Sequence, residues 1–523
     1  MYLIEILTRE LSKKIKISKE NFIFPSKEGD ISCNICFIRN KDNPQKLAEQ
    51  ICSEIKLPEE FEKVESKNGY LNFYIDYSKI NLDIKPKKIN KNVMVEFSNP
   101  NPCKAMHLGH SRTTFLGESI SRILEFYGIK VIRANYYNDL GKQIARTISA
   151  FKKYGIPDKR KIDHELAEIY AKIKDEEVDE RILYELENQT GNYIKEWKFV
   201  VENSIKGFKE TYKKLNIKFD VEFYESNFKK EGKNIANKLL ELGYAFISDG
   251  SVVVNLEKYN LPNTVLVRKD GTSLYLTSDI ALTIHKFKKY SLDEAIWVVG
   301  NEQKLHFKQL FKILEILGHN FKCKHVDYGI ISYKGSKMSS RSGRYILLDD
   351  LIDELIDKAK KELKNRNIED IEENAKRIGI GALKYEILKV DRNKNIDFYP
   401  GKAIQFEGNT GPYIQYSIIR CKSILKQSNK KENKTENVDE YEKELIKKLL
   451  ELEDVIEKSF LKLKPNLICN YSFELATTFS RFYENCKVLG DKKEEYRIYL
   501  VDKTKKALEL CLYLLGMDVP NKM

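Results

Sequence analysis

No run of about eighteen consecutive apolar residues occurs in this 523-residue chain, so nothing in it reads as a helix spanning a bilayer. The first residues, MYLIEILTRELSKKIKIS, lack a long apolar stretch and carry acidic side chains. They do not read as a secretory leader, and the cytoplasm is the expected compartment. Cysteine is sparse: nine residues are scattered, and the close pair Cys33 and Cys36 has no second pair or histidines at matching spacing. Packing thiols are therefore expected rather than structural zinc. No internal repeat is evident. What is present is the composition of a soluble globular protein, with 42% hydrophobic and 32% charged residues. The length exceeds what one core supports, which implies several domains. A net charge of +13 suits a polyanionic partner, although lysine is abundant from end to end and an AT-rich genome would produce the same excess.

Hydrophobic periodicity gives the organisation. Residues 1–88 mix short helices and strands and close on an alternating strand, NGYLNFYID. A second strand, NVMVEFS, starts at Asn92. A Pro/Asn loop (NPNPCKAM) follows, then a helix with Leu116, Ile120, Ile123, Leu124 and Tyr127 at helical spacing, then the strand KVIRANYY. This βαβ unit is the building block of a parallel nucleotide-binding sheet. Residues from about 144 to 245 read as a charged helical insertion. EAIWVVG, QKLHFKQLFKILEILG and KHVDYGIISY form a second βαβ half, and from 366 onward the pattern is helical. The expected fold class is α/β: a small α+β N-terminal domain (1–88), a Rossmann-like parallel-sheet domain with a helical insertion (89–365), and an all-α C-terminal bundle (366–523).

Two sites carry chemistry. His107-Leu-Gly-His110 falls where the first strand's loop turns into a helix. Two histidines three apart at a helix N-terminus offer ring N–H donors to an anion resting on the exposed amides. Gly109 would admit a flat ring to the backbone. The spacing does not match HExxH, and no third zinc ligand is identifiable. The second site, Lys337-Met338-Ser339-Ser340-Arg341, follows the last strand of the second half. A lysine among hydroxyls and glycines suits a loop that closes on a triphosphate. Both sites lie at C-terminal ends of strands, where open α/β sheets bind ligands.

The pair HLGH and KMSSR resembles the two signatures of class I aminoacyl-tRNA synthetases. Four further stretches resemble the arginyl-tRNA synthetase family specifically: Glu96-Phe-Ser-Asn-Pro-Asn101, Tyr275-Leu-Thr-Ser-Asp279, Gln303-Lys-Leu-His306 and Asn409-Thr-Gly-Pro-Tyr-Ile-Gln-Tyr416. The resemblance implies an ATP-dependent ligase that activates L-arginine and esterifies it to tRNA(Arg), with Mg²⁺ accompanying ATP. It implies that His107, Gly109, His110, Lys337, Met338, Ser339 and Ser340 handle ATP. Tyr275, Asp279 and Glu96 would hold the guanidinium, whose planar fixed charge needs carboxylates in bidentate range. Asn101 and Gln303 would hold the α-amino and carboxylate end.

For tRNA, the resemblance implies Asn68, Tyr70 and Asn72 at the D-loop, and Tyr413, Gln415, Tyr416 and Arg420 in an anticodon-binding bundle. It also exposes a departure. The class pattern has a second lysine where Ser340 stands, and Lys104, three residues before His107, resembles the lysine of family members lacking it. Lys104 is thus expected to be catalytic, with Arg341 or Arg344 as alternative sources of the charge. A monomer is expected. The rival readings are another class I synthetase or a small HxGH nucleotidyltransferase, and a catalytically dead paralogue that binds tRNA or senses arginine.

Overall fold

The computed structural model describes residues 2–523 except 85, 87, 158, 338–344, 367, 369, 429–431, 433, 434 and 436, with the backbone alone at 337. The chain forms two compact units, Met1–Pro86 with Tyr413–Lys458 and Asn470–Cys511, and Lys87–Pro412 with Ser459–Cys469 and Leu512–Met523.

The first unit contains an antiparallel sheet of β1 (Phe22–Ile23), β2 (Ile31–Cys33), β3 (Phe61–Lys67) and β4 (Tyr70–Ile75), ordered β1-β2-β4-β3. Asn68 and Gly69 join β3 to β4 with φ of +51° and +78°, the left-handed pair that a two-residue hairpin turn demands. Cys33 and Cys36 are buried here. Burial pushes their thiols up to about 12 and about 11, so they remain protonated packing groups. The later part of this unit is helical, including Glu440–Leu450 and most of Asn466–Asn485 and Glu494–Leu514.

The second unit is organised by β5 (Asn92–Glu96), β6 (Lys130–Tyr137) and β7 (Val221–Tyr224), with a hairpin sheet of β8 (Ala245–Ser248), β9 (Ser251–Val254) and β10 (Thr264–Val267). β11 (Glu294–Val298) and β12 (Cys323–Val326) complete a five-stranded parallel sheet ordered β12-β11-β5-β6-β7. Val93, Met94 and Val95 of β5 are all buried, as a central strand covered on both faces requires. The expected helix is Leu108–Phe126, with Leu116, Ile120, Ile123 and Leu124 buried on one face. A Cβ at Gly117 would come within 2.1 Å of the Phe97 ring, so glycine lets this helix close onto the end of β5.

The structure corrects the reading in three places. The stretch read as an insertion holds five α-helices among the described residues but also β7, which pairs in parallel with β6. It is therefore a long crossover carrying one strand of the sheet, too short to show alternation. KHVDYGIISY is not one strand. It breaks after Val326, and Ile331–Tyr333 (β13) enters a second sheet with β14 (Ser336–Lys337) and β15 (Ile396–Phe398). The break lies at Gly329, where a Cβ would sit 2.6 Å from the Lys394 carbonyl oxygen. β15 itself interrupts the region expected to be wholly helical.

Candidate active site

β5 leads through its helix to β6 on one side, whereas β11 lies on its other side, so the order reverses between β5 and β11. The carboxyl ends of these strands open onto a cavity of about 1040 Å³, near the upper limit for single small-ligand sites and roomy enough for two substrates. Thr113 stitches the reversal point together. It accepts from the Ser98 N–H (3.1 Å) at the end of β5 and donates to the Val298 carbonyl (2.6 Å) at the end of β11.

His107 is the N-cap of the Leu108–Phe126 helix. Its Nδ1 accepts from the Gly109 N–H, and His110 Nδ1 accepts from the His107 N–H, both at 3.1 Å. A ring nitrogen that accepts is unprotonated, so in each neutral ring the proton sits on Nε2. Burial, reinforced by the charge of Lys104, lowers His107 to about 4. Burial, then His107, then Lys104 hold His110 well below its ordinary value. Two neutral Nε2–H donors with ring centroids 4.0 Å apart result. The expected donors are present, and the reason for Gly109 changes. A Cβ there would lie 2.8 Å from His107 Cε1, so glycine is required by the capping ring itself.

The second signature begins on the β13–β14 hairpin. Lys334 and Gly335 make its turn with φ of +49° and +76°, and Lys337 pairs with Ser332. Met338, Ser339, Ser340, Arg341 and Arg344 lie outside the described residues. Past them the backbone returns to the first signature. Leu108 N–H donates to the Ile346 carbonyl and Leu348 N–H to the Met106 carbonyl, both at 2.9 Å. Asp349 anchors this return. Its buried carboxylate accepts from Lys161 Nζ and Thr211 Oγ1 at 2.8 Å and meets His164 at 3.2 Å. Those partners hold its carboxyl far below the usual range despite burial.

The far end of the cavity is acidic. Glu96 is buried against Lys286, whose Nζ also lies over the Phe223 and Trp297 rings at 5.1 and 5.2 Å. Burial raises the Glu96 carboxyl and Lys286 opposes the rise. Glu225 pairs with Lys229 at 2.7 Å. Asp279 meets His306 Nε2 at 2.8 Å, and the Tyr275 ring packs on His306 with centroids 4.7 Å apart. These carboxylates surround the buried Tyr136 hydroxyl, raised well above its ordinary value by burial and then by Asp279, Glu225 and Glu96. Tyr275 and Asp279 are thus brought together as expected. Glu96 instead arrives with its charge balanced by a lysine.

Asn101 and Gln303 both line the cavity. Asn101 is already engaged, donating to Gln143 Oε1 (3.1 Å) and accepting from the Cys103 thiol (2.8 Å). Lys104 is half-buried on the same loop. Sequence reasoning missed Tyr136, Gln143, Glu225 and Lys286. Each belongs to a stretch with no motif, and only folding brings them to this cavity.

The expected RNA-facing residues belong to the first unit. Asn68 is exposed on its turn, and Tyr70 is half-buried against Phe37, ring centroids 4.9 Å apart. Arg420 lies over the rings of Tyr416 (5.0 Å) and Tyr483 (5.2 Å), and Tyr413 packs against Phe473. Asn72 and Gln415 depart from expectation. They are 2% and 0% exposed, with Asn72 Oδ1 accepting from Ser32 Oγ at 2.6 Å, so both lie beneath the surface.

A parallel sheet with a histidine-capped helix at its switch point, and a lysine-bearing hairpin returning to that helix, is the arrangement of a class I aminoacyl-tRNA synthetase. Residues 77–399 match the family described as "tRNA synthetases class I (R), catalytic domain". Residues 414–523 match a "DALR anticodon binding domain" and residues 2–75 an "Arginyl tRNA synthetase N terminal domain". The chain is 35% identical to the arginine–tRNA ligase of Halothermothrix orenii, covering 92% of this chain and 91% of that one. It is 36% identical to that of Methanocaldococcus jannaschii, covering 99% and 98%. The Thermus thermophilus arginyl-tRNA synthetase structure superposes with a TM-score of 0.85 at 26% identity, covering 100% of this chain and 99% of that one. The chain belongs to the arginyl-tRNA synthetase family.

Proposed function

We propose that the cavity activates arginine with ATP and that the first unit presents tRNA(Arg). Asp279 carries the reading. Of the carboxylates around Tyr136, Glu96 and Glu225 are each matched by a lysine, whereas Asp279 meets a histidine. Three carboxylates against two lysines leave one negative charge among the described residues, which matches one guanidinium. Tyr275 supplies the aromatic wall and Gln303 and Asn101 face the α-end of the substrate. Glu96 then acts through its buried pair rather than as a free acceptor.

ATP, with its Mg²⁺, enters at the signature end. The arginine carboxylate attacks the α-phosphorus, the bond to pyrophosphate breaks, and negative charge grows on the phosphoryl oxygens. His107 and His110 meet that charge as neutral Nε2–H donors, so no proton leaves them during the step. Lys337 and Lys104 supply positive charge, with Met338, Ser339 and Ser340 completing the nucleotide contacts. A hydroxyl of the terminal ribose of tRNA then attacks the adenylate's arginyl carbonyl, the bond to the phosphate breaks, and AMP leaves. The first unit serves RNA binding and the second serves chemistry. Asn68, Tyr70, Tyr413, Tyr416 and Arg420 are the RNA-facing groups, and Asn72 and Gln415 support them from beneath. The enzyme works as a cytoplasmic monomer.

Pyrophosphate exchange with each of the twenty amino acids, with and without tRNA, tests this. Exchange is expected with arginine alone and only when tRNA is present. Comparable exchange with lysine would sink the guanidinium assignment, because one ammonium cannot fill a site built for a planar fork.

A further inference from the structure

Two residues past His110, the signature helix sends Arg112 into the interior, where it is 0% exposed. No carboxylate pairs with it among the described residues. Its guanidinium donates instead to main-chain carbonyls. Nη1 meets Ile387 (2.6 Å), in the last turn of the Ile371–Leu388 helix, and Nη2 meets Asp391 (3.0 Å), Arg392 (3.2 Å) and Lys394 (3.2 Å). A cation fits there because the final carbonyls of a helix lack intrahelical donors and carry its negative dipole end.

The residues that Arg112 holds lead directly into β15. β15 pairs in parallel with β13, the strand whose hairpin ends at Lys337. The joint is closed from the other side as well. Gly329 N–H donates to the Arg392 carbonyl at 2.8 Å, and Arg392 donates to the Asp327 side chain at 2.7 Å, fixing the passage from β12 to β13. At the hairpin tip, Asp397 on β15 accepts from Gly335 N–H (2.8 Å) and Ser332 Oγ (3.1 Å). A continuous series of directional bonds thus runs from the first-signature helix to the hairpin of the second signature.

We infer that Arg112 is a positioning residue that sets the β13–β14 hairpin, whose last residue is Lys337, in register with the first signature, so that both serve one triphosphate. This rests on the reading of His107, His110 and Lys337 as ATP-handling groups. Misregister weakens contacts that form only as charge develops, so it lowers the rate of activation and leaves arginine binding in place.

The test uses the full-length chain with Arg112→Met, Arg112→Lys, Asp397→Ala and, in parallel, His110→Ala. Adenylate formation is measured with tRNA present, per competent site, with sites counted by active-site titration, and arginine affinity is measured by calorimetry. Arg112→Met is expected to lose at least tenfold in the per-site rate with arginine Kd within threefold, and Arg112→Lys to recover part of the loss. Asp397→Ala, exposed and outside the core, is expected to lose at least threefold without a fall in melting temperature. If Arg112→Met does not fold, Asp397→Ala decides. Per-site rates within twofold of the parent, or a loss matched by weaker arginine binding, overturn the inference. An unaffected His110→Ala would instead overturn the ATP-site reading beneath it.

Discussion

Replacing Lys286 by methionine isolates the buried ion pair at the acidic end of the cavity. Lys286 is 1% exposed and Glu96 4% exposed, so neither charge has water to fall back on. Methionine fills the lysine stem's space between Phe223 and Trp297 but leaves Glu96 as an uncompensated buried charge. Breaking such a pair from one side costs about 3–5 kcal/mol. Each kcal/mol shifts the midpoint by roughly 2–4 °C in domains of 150–250 residues and less in larger ones, so the loss is on the order of 5 °C. The pH dependence gives the sharper check. The Glu96 carboxyl is already raised by burial in the parent, and without Lys286 only the Asn99 amide, which donates to it at 3.3 Å, still opposes that rise. A raised carboxyl favours the neutral form in the folded state. Its penalty is therefore absent below the unfolded value, near 4.3, grows as pH rises through the window up to the folded value, and stays constant above it. Thermal scans at pH 8 and pH 5 should show a deficit in Lys286→Met that is larger at pH 8. Glu96→Gln in the same background should restore most of it. A deficit equal at both pH values, or a midpoint within one degree of the parent (roughly 1 °C against the shift expected), would refute the account of the pair.

Asp279→Asn should raise KM for arginine about tenfold to 150-fold, from the roughly 1.5–3 kcal/mol of a hydrogen bond to a charged group, and steady-state exchange with unchanged KM would remove Asp279 from the pocket. Lys104→Ala should lower kcat for activation by about tenfold or more while arginine KM stays within a few-fold, because phosphate charge is met mainly in the transition state. Near-normal kcat would return the role to Arg341 or Arg344. His107, lowered to about 4 in the fold, contributes stability that is present above its unfolded value near 6.5 and lost as pH falls toward 4. His107→Gln should therefore show a shallower decline in melting temperature across that window, and an unchanged slope would contradict a neutral ring.

What was legible in the sequence is local. His107, Gly109 and His110 occupy one turn, and Tyr275 and Asp279 one face of one helix, so spacing alone places each set together. β5 and β11 were legible because a covered parallel strand carries an unbroken apolar run, residues 93–95 in one and 295–298 in the other. What was not legible is charge compensation across distance. Lys286 and Glu96 are 190 positions apart, and the Arg112 guanidinium reaches carbonyls 275 to 282 positions away. Neither separation leaves a periodic trace. Alternation in NGYLNFYID identifies the strand β4 but not which residues are covered, so Asn72 read as a surface amide although Ser32 of the neighbouring strand holds it inside. The same limit explains the split of KHVDYGIISY. Its apolar residues continue at strand spacing, and only the close approach of the Lys394 carbonyl to Gly329 shows that the chain must leave one sheet for the other. That crossing carries the second signature, so the part of the site least visible in the sequence is the joint that brings its two most visible motifs together.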